Sequence, residues 1–413
     1  MKTLPPSACL KLDLMFEGVR YSEALGEAAG HAFPNFYPYR FQAGEANPTG
    51  QSKVTIPYLM SLADGTLMRV KGNGASPWQV TGCRQSGYQL VNDASPDEPH
   101  DIDFDPLPEW MKRQTTDGFP MAQAGVSLHG DMAVINIAPG CDYFLQKSAS
   151  GKSMRCSFCA YGAPNERVDY YAQVIGEPGL PQLTYQRMQE TLRQALDERE
   201  INHIYLVAGS LTDWHDEGRR FIEIARAVQQ VNAQRIPVTC GSGALPLDIL
   251  QQMHAENLVD SVCFNMEVWS RDLFEKICPG KDRFVGYDQW IASLENAVSL
   301  WGRGRVYSAM VAGIEMEPEY GLGWEQAAQR AIEGAAELVS RGIIPIYSLY
   351  WPTGGRDHPE YFSRLQAYFD RLNLEYREIR RRNDTHIWHG FMCHRCAYMQ
   401  LECDVDREMG PAG

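Results

Sequence analysis

Apolar residues along this chain keep one period in its first third and another beyond it. In the stretches 54–62, 66–71 and 79–83 they occur in short, strand-like runs separated by turn signals such as Ala63-Asp64-Gly65, which predicts a small β-rich module. Beyond residue 131 compact apolar runs at 132–138, 203–208, 237–240, 261–265, 306–313 and 343–349 predict strands. Between them, apolar residues recur at helical spacing over 184–200, 216–232, 246–256, 270–276, 287–300 and 324–341. In the first of these Met188, Leu192 and Leu196 share a face, and Thr184 is expected as the N-cap.

Strand and helix in regular alternation predict repeated βα units around a parallel sheet, hence an α/β protein built on a partial (β/α)6 barrel. Ligands of such a barrel are expected at the carboxyl ends of its strands. The expected division is an N-terminal β-rich module with its linker over 1–130, the barrel over 131–372, and a C-terminal extension over 373–413. The polar, proline-spaced stretch 93–108 reads as the linker. No internal repeat or low-complexity tract interrupts this plan.

Composition narrows the classes of function. The 413 residues carry a formal net charge of -14 and their pI is near 5.2. That balance argues against a nucleic-acid or anionic-membrane binder, whose affinity comes from clustered Lys and Arg. No run of eighteen apolar residues occurs and the first residues read as no signal peptide, so neither a membrane span nor secretion is expected. The 11 cysteines are an odd number, and six fall in two tight groups, a pattern that fits a reducing cytoplasm better than a disulfide framework.

The first group carries the chemistry. Cys141 directly follows the first barrel strand, and after fourteen residues come Cys156, Phe158 and Cys159, then Tyr161. Three thiolates can hold three irons of a [4Fe–4S] cluster and leave the fourth open to a ligand that is not protein. Zinc is the alternative, because Cys156-x-x-Cys159 alone is also a zinc half-site. With Phe158 and Tyr161 flanking it, the loop resembles a lengthened form of the cluster loop of radical S-adenosylmethionine (radical SAM) enzymes, whose usual spacing places three residues between the first two cysteines.

Later positions match the same family in order. Gly209 and Ser210 end the second strand where the family's glycine-rich segment approaches the amino group of SAM, although the family's acidic residue is missing there. Ser242 ends the third strand, where a serine hydroxyl reaches the methionine carboxylate. Asn265 and Glu267 end the fourth, resembling the Asn-x-Asp element that binds the ribose hydroxyls in biotin synthase-like and lipoyl synthase-like members. Gly313 and Glu315 end the fifth, like the apolar glycine motif beside adenine, and residues 351–355 follow the sixth like those relatives' proline-glycine turn. Taken singly, each of these is also an ordinary strand-end turn or cap.

The resemblance implies a SAM-binding [4Fe–4S] cluster, S-adenosyl-L-methionine, reductive cleavage to a 5′-deoxyadenosyl radical, and hydrogen abstraction from a small-molecule or peptide substrate. It also implies an external electron donor such as flavodoxin or ferredoxin. The second group, Cys393, Cys396 and Cys403, resembles the auxiliary [4Fe–4S] cluster site of several subfamilies, with His389 or His394 as a fourth ligand. Sulfur insertion from that cluster, or its service as electron acceptor in an oxidation or rearrangement, are the two expected fates of the substrate radical. A structural zinc site completed by His386, His389 or His394, a zinc-binding scaffold, and a redox protein without SAM chemistry stay open. Cys240, Cys263 and Cys278 read as buried small hydrophobes, and Cys9 and Cys83 have no interpretable partner spacing. His203, His215, His358, Arg303 and Arg305 are weaker candidates for substrate contact.

Overall fold

The first described element is a helix that the sequence pattern did not announce: α1, Pro6–Glu17, which turns Ala8, Leu12, Leu14, Met15 and Phe16 into the core. The computed structural model describes residues 4–21, 36–39, 54–57, 59–83, 85–138, 140–159, 161–162, 180–350, 359–387 and 399–410. After α1 come β1 (Arg20–Tyr21), β2 (Phe36–Tyr39) and β3 (Val54–Pro57), then β4 (Leu59–Leu62), β5 (Leu67–Arg69), β6 (Trp78–Cys83), β7 (Gly87–Asn92) and β8 (Ser95–Asp103). Strands β2 and β3 form an antiparallel pair, and the others form a six-stranded sheet in the order β1-β6-β7-β8-β4-β5.

The expected linker at 93–108 is in large part strand β8, which pairs with β7 and, at Ile102 and Asp103, with β4. Its run Ser-Pro-Asp-Glu-Pro-His is solvent-exposed, so backbone pairing holds it without an apolar face, and hydrophobic patterning does not reveal it.

The second sheet meets the expectation closely. It runs β15-β14-β13-β12-β11-β10-β9, where β9 is Val126–His129, β10 Met132–Ile135, β11 His203–Val207, β12 Val238–Ser242, β13 Ser261–Phe264, β14 Val306–Ala312 and β15 Ile343–Leu349. The six strands from β10 onward are parallel, and β9 adds an antiparallel edge. The connections are α2 (Leu180–Glu198), α3 (Trp214–Gln229), α4 (Leu247–Ala255), α5 (Arg271–Ile277), α6 (Pro279–Phe284), α7 (Tyr287–Trp301) and α8 (Trp324–Ser340), with α9 (Pro359–Arg382) and α10 (Glu402–Met409) following. Thr184 lies inside α2 rather than capping it, because the helix begins at Leu180. Asp213 does cap α3, its carboxylate accepting from the backbone N–H of His215 at 2.8 Å and of Asp216 at 3.1 Å.

The two faces of this sheet are chemically distinct. Ala133, Ile135, Ile204, Leu206, Val238, Cys240, Val262 and Phe264 join the main core, whereas Met132, Val134, Cys263, Tyr307, Ile344 and Ile346 form two separate clusters with Tyr205, Val207 and Ala309 on the other face, the lumen of the curled sheet. The free edge of β15 is sealed from far along the chain: Leu349 N–H donates to the Met399 carbonyl at 3.2 Å and Tyr347 N–H to the Glu402 carboxylate at 2.7 Å. Helix α10 is locked to α1 by the Lys11–Asp404 ion pair at 2.7 Å, both side chains fully buried. Phe16 of α1 also stacks on Phe362 of α9, centroids 4.5 Å apart. Among the described residues, no helix is long and apolar enough to cross a membrane.

Candidate functional site

The loop after β10 is stitched to the loop after β11. Gly209 N–H donates to the Ala138 carbonyl at 3.2 Å and Asp142 N–H to the Ser210 carbonyl at 2.9 Å. A β-carbon on Gly209 would stand 1.6 Å from the Gly140 carbonyl oxygen, so the residue must be glycine for the two loops to touch. The close approach expected of Gly209 is therefore made to the chain's own backbone, one residue before Cys141. Cys141 itself donates its N–H to the Gly162 carbonyl at 3.0 Å and opens a short turn, Asp142–Phe144.

Cys156 and Cys159 close the same loop. Cys159 N–H bonds the Cys156 carbonyl at 3.0 Å, and Tyr161 N–H points at the Cys159 sulfur from 3.4 Å. Phe158 packs against the main core, and the Tyr161 hydroxyl donates to Asn136 Oδ1 at 3.1 Å. The three thiols are near enough that charge on Cys156 and Cys159 disfavours charge on Cys141, whose thiol burial pushes up to about 12. Burial raises Cys159 as well. Cys156 is held below the ordinary thiol range, foremost by a hydrogen bond from Cys278, in spite of its burial. Among the described residues, no three His, Cys, Asp or Glu side chains converge on one metal-ion position. A four-iron cluster is a larger body than a lone ion, and three soft, mutually close thiols in a loop with clamped backbone fit it by donor chemistry.

The segment after β13 docks onto this loop. Ser157 N–H bonds the Ile277 carbonyl at 2.8 Å, Gly280 N–H bonds the Met154 carbonyl at 2.9 Å, and Tyr143 stacks on Phe284 with 5.5 Å between centroids. From this segment Lys281 reaches back to the strand end, its Nζ 2.6 Å from Glu267 Oε1, bonded to the Asn265 carbonyl, and 4.8 Å above the Trp290 ring. Burial raises the Glu267 carboxyl, while Lys281 opposes that shift. Asn265 Oδ1 accepts from the Cys263 thiol at 3.3 Å and from Ala309 N–H at 3.4 Å. Both candidate ribose-binding residues thus sit at the mouth of the strands, with the carboxylate engaged by a lysine. Hydrophobic periodicity assigns nothing to 277–286 between two helices; Cys278 is fully buried in the main core, as expected of it, and Pro279-Gly280 is the available sign of a specialised turn.

Glu217 is a second buried acid the sequence concealed. From the first turn of α3 its carboxylate accepts from Gly243 N–H at 2.8 Å and Leu211 N–H at 2.9 Å, joining the ends of β12 and β11. It supplies an acidic group beside the second strand's end, where the glycine-rich segment itself has none. In that position an acid reads as an ordinary helix-start residue, which is why pattern alone passes over it. Ser242 turns its hydroxyl to the Gly243 carbonyl at 2.7 Å. Gly313 adopts a left-handed φ of 97° and is bracketed by Glu315 Oε2, 3.2 Å from its N–H, and the Tyr361 hydroxyl, 3.2 Å from its carbonyl. Glu315 is buried near Tyr347, Tyr361 and Tyr368, and burial pushes its carboxyl up to about 7.

Other candidates resolve into local roles. His203 is buried, its Nε2 2.8 Å from Thr239 Oγ1, which meets Ser261 Oγ at 2.6 Å. Arg303 caps the end of α8 through the Val339 and Ser340 carbonyls at 2.9 and 3.0 Å, and His215 lies 3.7 Å from Asp248 at the surface. Cys403 packs against the lumen cluster of Cys263, Tyr307, Ile344 and Ile346. The residues 351–355, His358, His389, Cys393, His394 and Cys396 lie outside the described residues.

No family model matches the chain. Among curated proteins it is similar to bacteriochlorophyllide c C-7(1)-hydroxylase of Chlorobaculum limnaeum, 23% identical over 267 residues. That match covers 60% of this chain and 59% of the relative, so the chain spans about three-fifths of the relative's length. Among solved structures, a radical SAM methyltransferase from Sphaerobacter thermophilus is similar over 72% of this chain and 75% of that one, at 14% identity and a TM-score of 0.38. The cysteine loop follows the first strand of the parallel sheet, the position at which the sequence resembles the radical SAM enzymes.

Proposed function

We propose that this protein is a radical SAM enzyme whose Cys141, Cys156 and Cys159 hold a [4Fe–4S] cluster at the mouth of a partial (β/α)6 barrel. The observation that carries the reading is the clamped loop: three thiols whose charges act on one another, fixed by backbone bonds to the ends of the neighbouring strands. When bound, cluster and SAM supply an electron and a 5′-deoxyadenosyl radical able to take hydrogen from an unreactive C–H bond. The chain's own task is to orient and to exclude water. Asn265 and Glu267 would meet the ribose hydroxyls, the Lys281 ion pair that fixes the Glu267 carboxylate supports that role, and the lumen wall of Met132, Val134, Val207 and Ala309 would offer an apolar seat for substrate.

The fate of the substrate radical has two readings. Sulfur insertion is the narrower one; it requires an auxiliary cluster on Cys393, Cys396 and Cys403, and Cys403 lying against the lumen cluster supports it. Oxidation or rearrangement with that cluster as electron acceptor is the second, and a relative that is a hydroxylase favours an oxidative outcome. The test is anaerobic iron–sulfur reconstitution with iron counting, then product analysis with SAM and dithionite. Wild-type protein should release 5′-deoxyadenosine, and the variant with Cys141, Cys156 and Cys159 all replaced by alanine should release none. Unchanged release by that variant would remove these cysteines from the reaction, and colourless wild-type protein would favour a zinc scaffold.

A further inference from the structure

The lumen holds a side-chain pair that cofactor binding does not use. Tyr205 of β11 faces the lumen and packs against the cluster that contains Cys263, Tyr307 and Ile346. Between β11 and β13 runs β12, whose residue in line with Val207 and Cys263 is Gly241. A β-carbon on Gly241 would come within 2.3 Å of the Tyr205 hydroxyl, so glycine opens the slot through which the phenol crosses one whole strand. At the far side it hydrogen-bonds the Cys263 sulfur. The Cys263 thiol in turn lies 3.3 Å from Asn265 Oδ1. A chain of phenol, thiol and amide therefore runs up the lumen wall from Tyr205, half-buried, to Asn265, the residue proposed above to meet the cofactor's ribose.

Most of the surrounding wall has no hydrogen to give easily: Met132, Val134, Val207, Ala309, Ile344 and Ile346 carry only C–H bonds there. The Tyr307 hydroxyl is directed to the Gly304 carbonyl at 3.0 Å. Phenol O–H and thiol S–H bonds are both weaker than an alkyl C–H bond, so transfer from either to a carbon radical runs downhill.

We propose that Tyr205 and Cys263 form a hydrogen-atom donor pair that returns hydrogen to a carbon radical in the lumen. This rests on the radical SAM reading. In the first step the Tyr205 O–H bond breaks and a C–H bond forms on the radical, leaving a tyrosyl radical. The tyrosyl radical then takes the Cys263 S–H hydrogen, restoring the phenol and leaving a thiyl radical. One electron from a low-potential iron–sulfur protein or dithionite, with one proton from solvent, restores the thiol. Of the outcomes given above, a pair of this kind suits a rearrangement that ends in a new C–H bond, such as an isomerisation or epimerisation, rather than sulfur insertion or oxidation.

The experiment needs no known substrate. Reconstituted holoprotein is given SAM and dithionite in deuterium oxide, where phenol and thiol carry deuterium, and the 5′-deoxyadenosine is weighed by mass spectrometry. Wild type should give mainly singly deuterated product. Tyr205→Phe, which keeps the ring, should lower that labelled fraction at least about fivefold, and Tyr307→Phe should not. Cys263→Ala should accumulate a tyrosyl electron-spin signal that wild type lacks. Unlabelled product from wild type, or full labelling in Tyr205→Phe, would overturn the pair while leaving SAM cleavage intact. Iron-loaded wild type that makes no 5′-deoxyadenosine would instead overturn the underlying reading, and the pair with it.

Discussion

A carboxyl group sealed among tyrosines shows how much one residue can depend on pH. Burial raises Glu315 from the ordinary 4.5 to about 7, so the folded state favours its protonated form. Its stabilising contribution is complete below pH 4.5 and is lost as pH rises through 7. Glu315→Gln keeps an acceptor for Gly313 N–H and removes the charge, so the variant should exceed wild type by about 3 kcal/mol at pH 8, with the difference shrinking toward pH 5. Urea denaturation across that range measures it; a difference independent of pH would show that Glu315 does not titrate there. Asn265 makes a different kind of demand. Asn265→Ala should weaken SAM binding by about 1–3 kcal/mol, because it leaves a buried polar partner unmatched, and equal affinity by titration calorimetry would take Asn265 out of the cofactor site.

Among the elements, the contact between the loops after β10 and β11 has no slack. Gly209→Ala puts a methyl group into the Gly140 carbonyl and must push the two loops apart. The expected cost is about 1–3 kcal/mol, together with fewer irons bound per chain after reconstitution. Full iron loading at unchanged thermal stability would show that the loops do not need each other. This scale also marks what the sequence could tell. The strands from β10 to β15 were legible because each is a short apolar run between amphipathic helices, and Cys141 could be placed after the first of them by counting alone. Strand β8 was not, since a polar edge held by backbone bonds leaves no periodic trace. Tyr205, Glu217, Cys278 and Lys281 were also hidden, for another reason: each matters through a partner on a different element, and only the fold brings those partners together.

In the whole molecule, α1 and α10 are joined through one buried charge pair. Lys11→Met should destabilise the protein by at most about 3–5 kcal/mol, because fully buried Asp404 loses its closer countercharge and keeps only Arg407 at 3.3 Å, and adding Asp404→Leu should recover most of that loss. Chemical denaturation of the two variants decides it, with equal instability of single and double variants as the contrary result. The three C-terminal cysteines belong to the same scale. Replacing Cys393, Cys396 and Cys403 with alanine should leave SAM cleavage in place, uncouple it from product, and remove about half of the iron if both clusters hold four. A wild type with one cluster plus zinc would reject the auxiliary site.

The seal on β15 has a consequence for biosynthesis. The outward N–H groups of Tyr347 and Leu349 wait for Met399 and Glu402, some fifty residues further along the chain. Until the ribosome has released that stretch, a nascent chain carries a finished parallel sheet with one bare margin, the form in which neighbouring polypeptides pair with each other. Recombinant forms cut between α9 and residue 399 should therefore collect in inclusion bodies, and supplying a holdase chaperone during synthesis should raise the soluble yield of the full chain more than lowering the growth temperature after synthesis is complete.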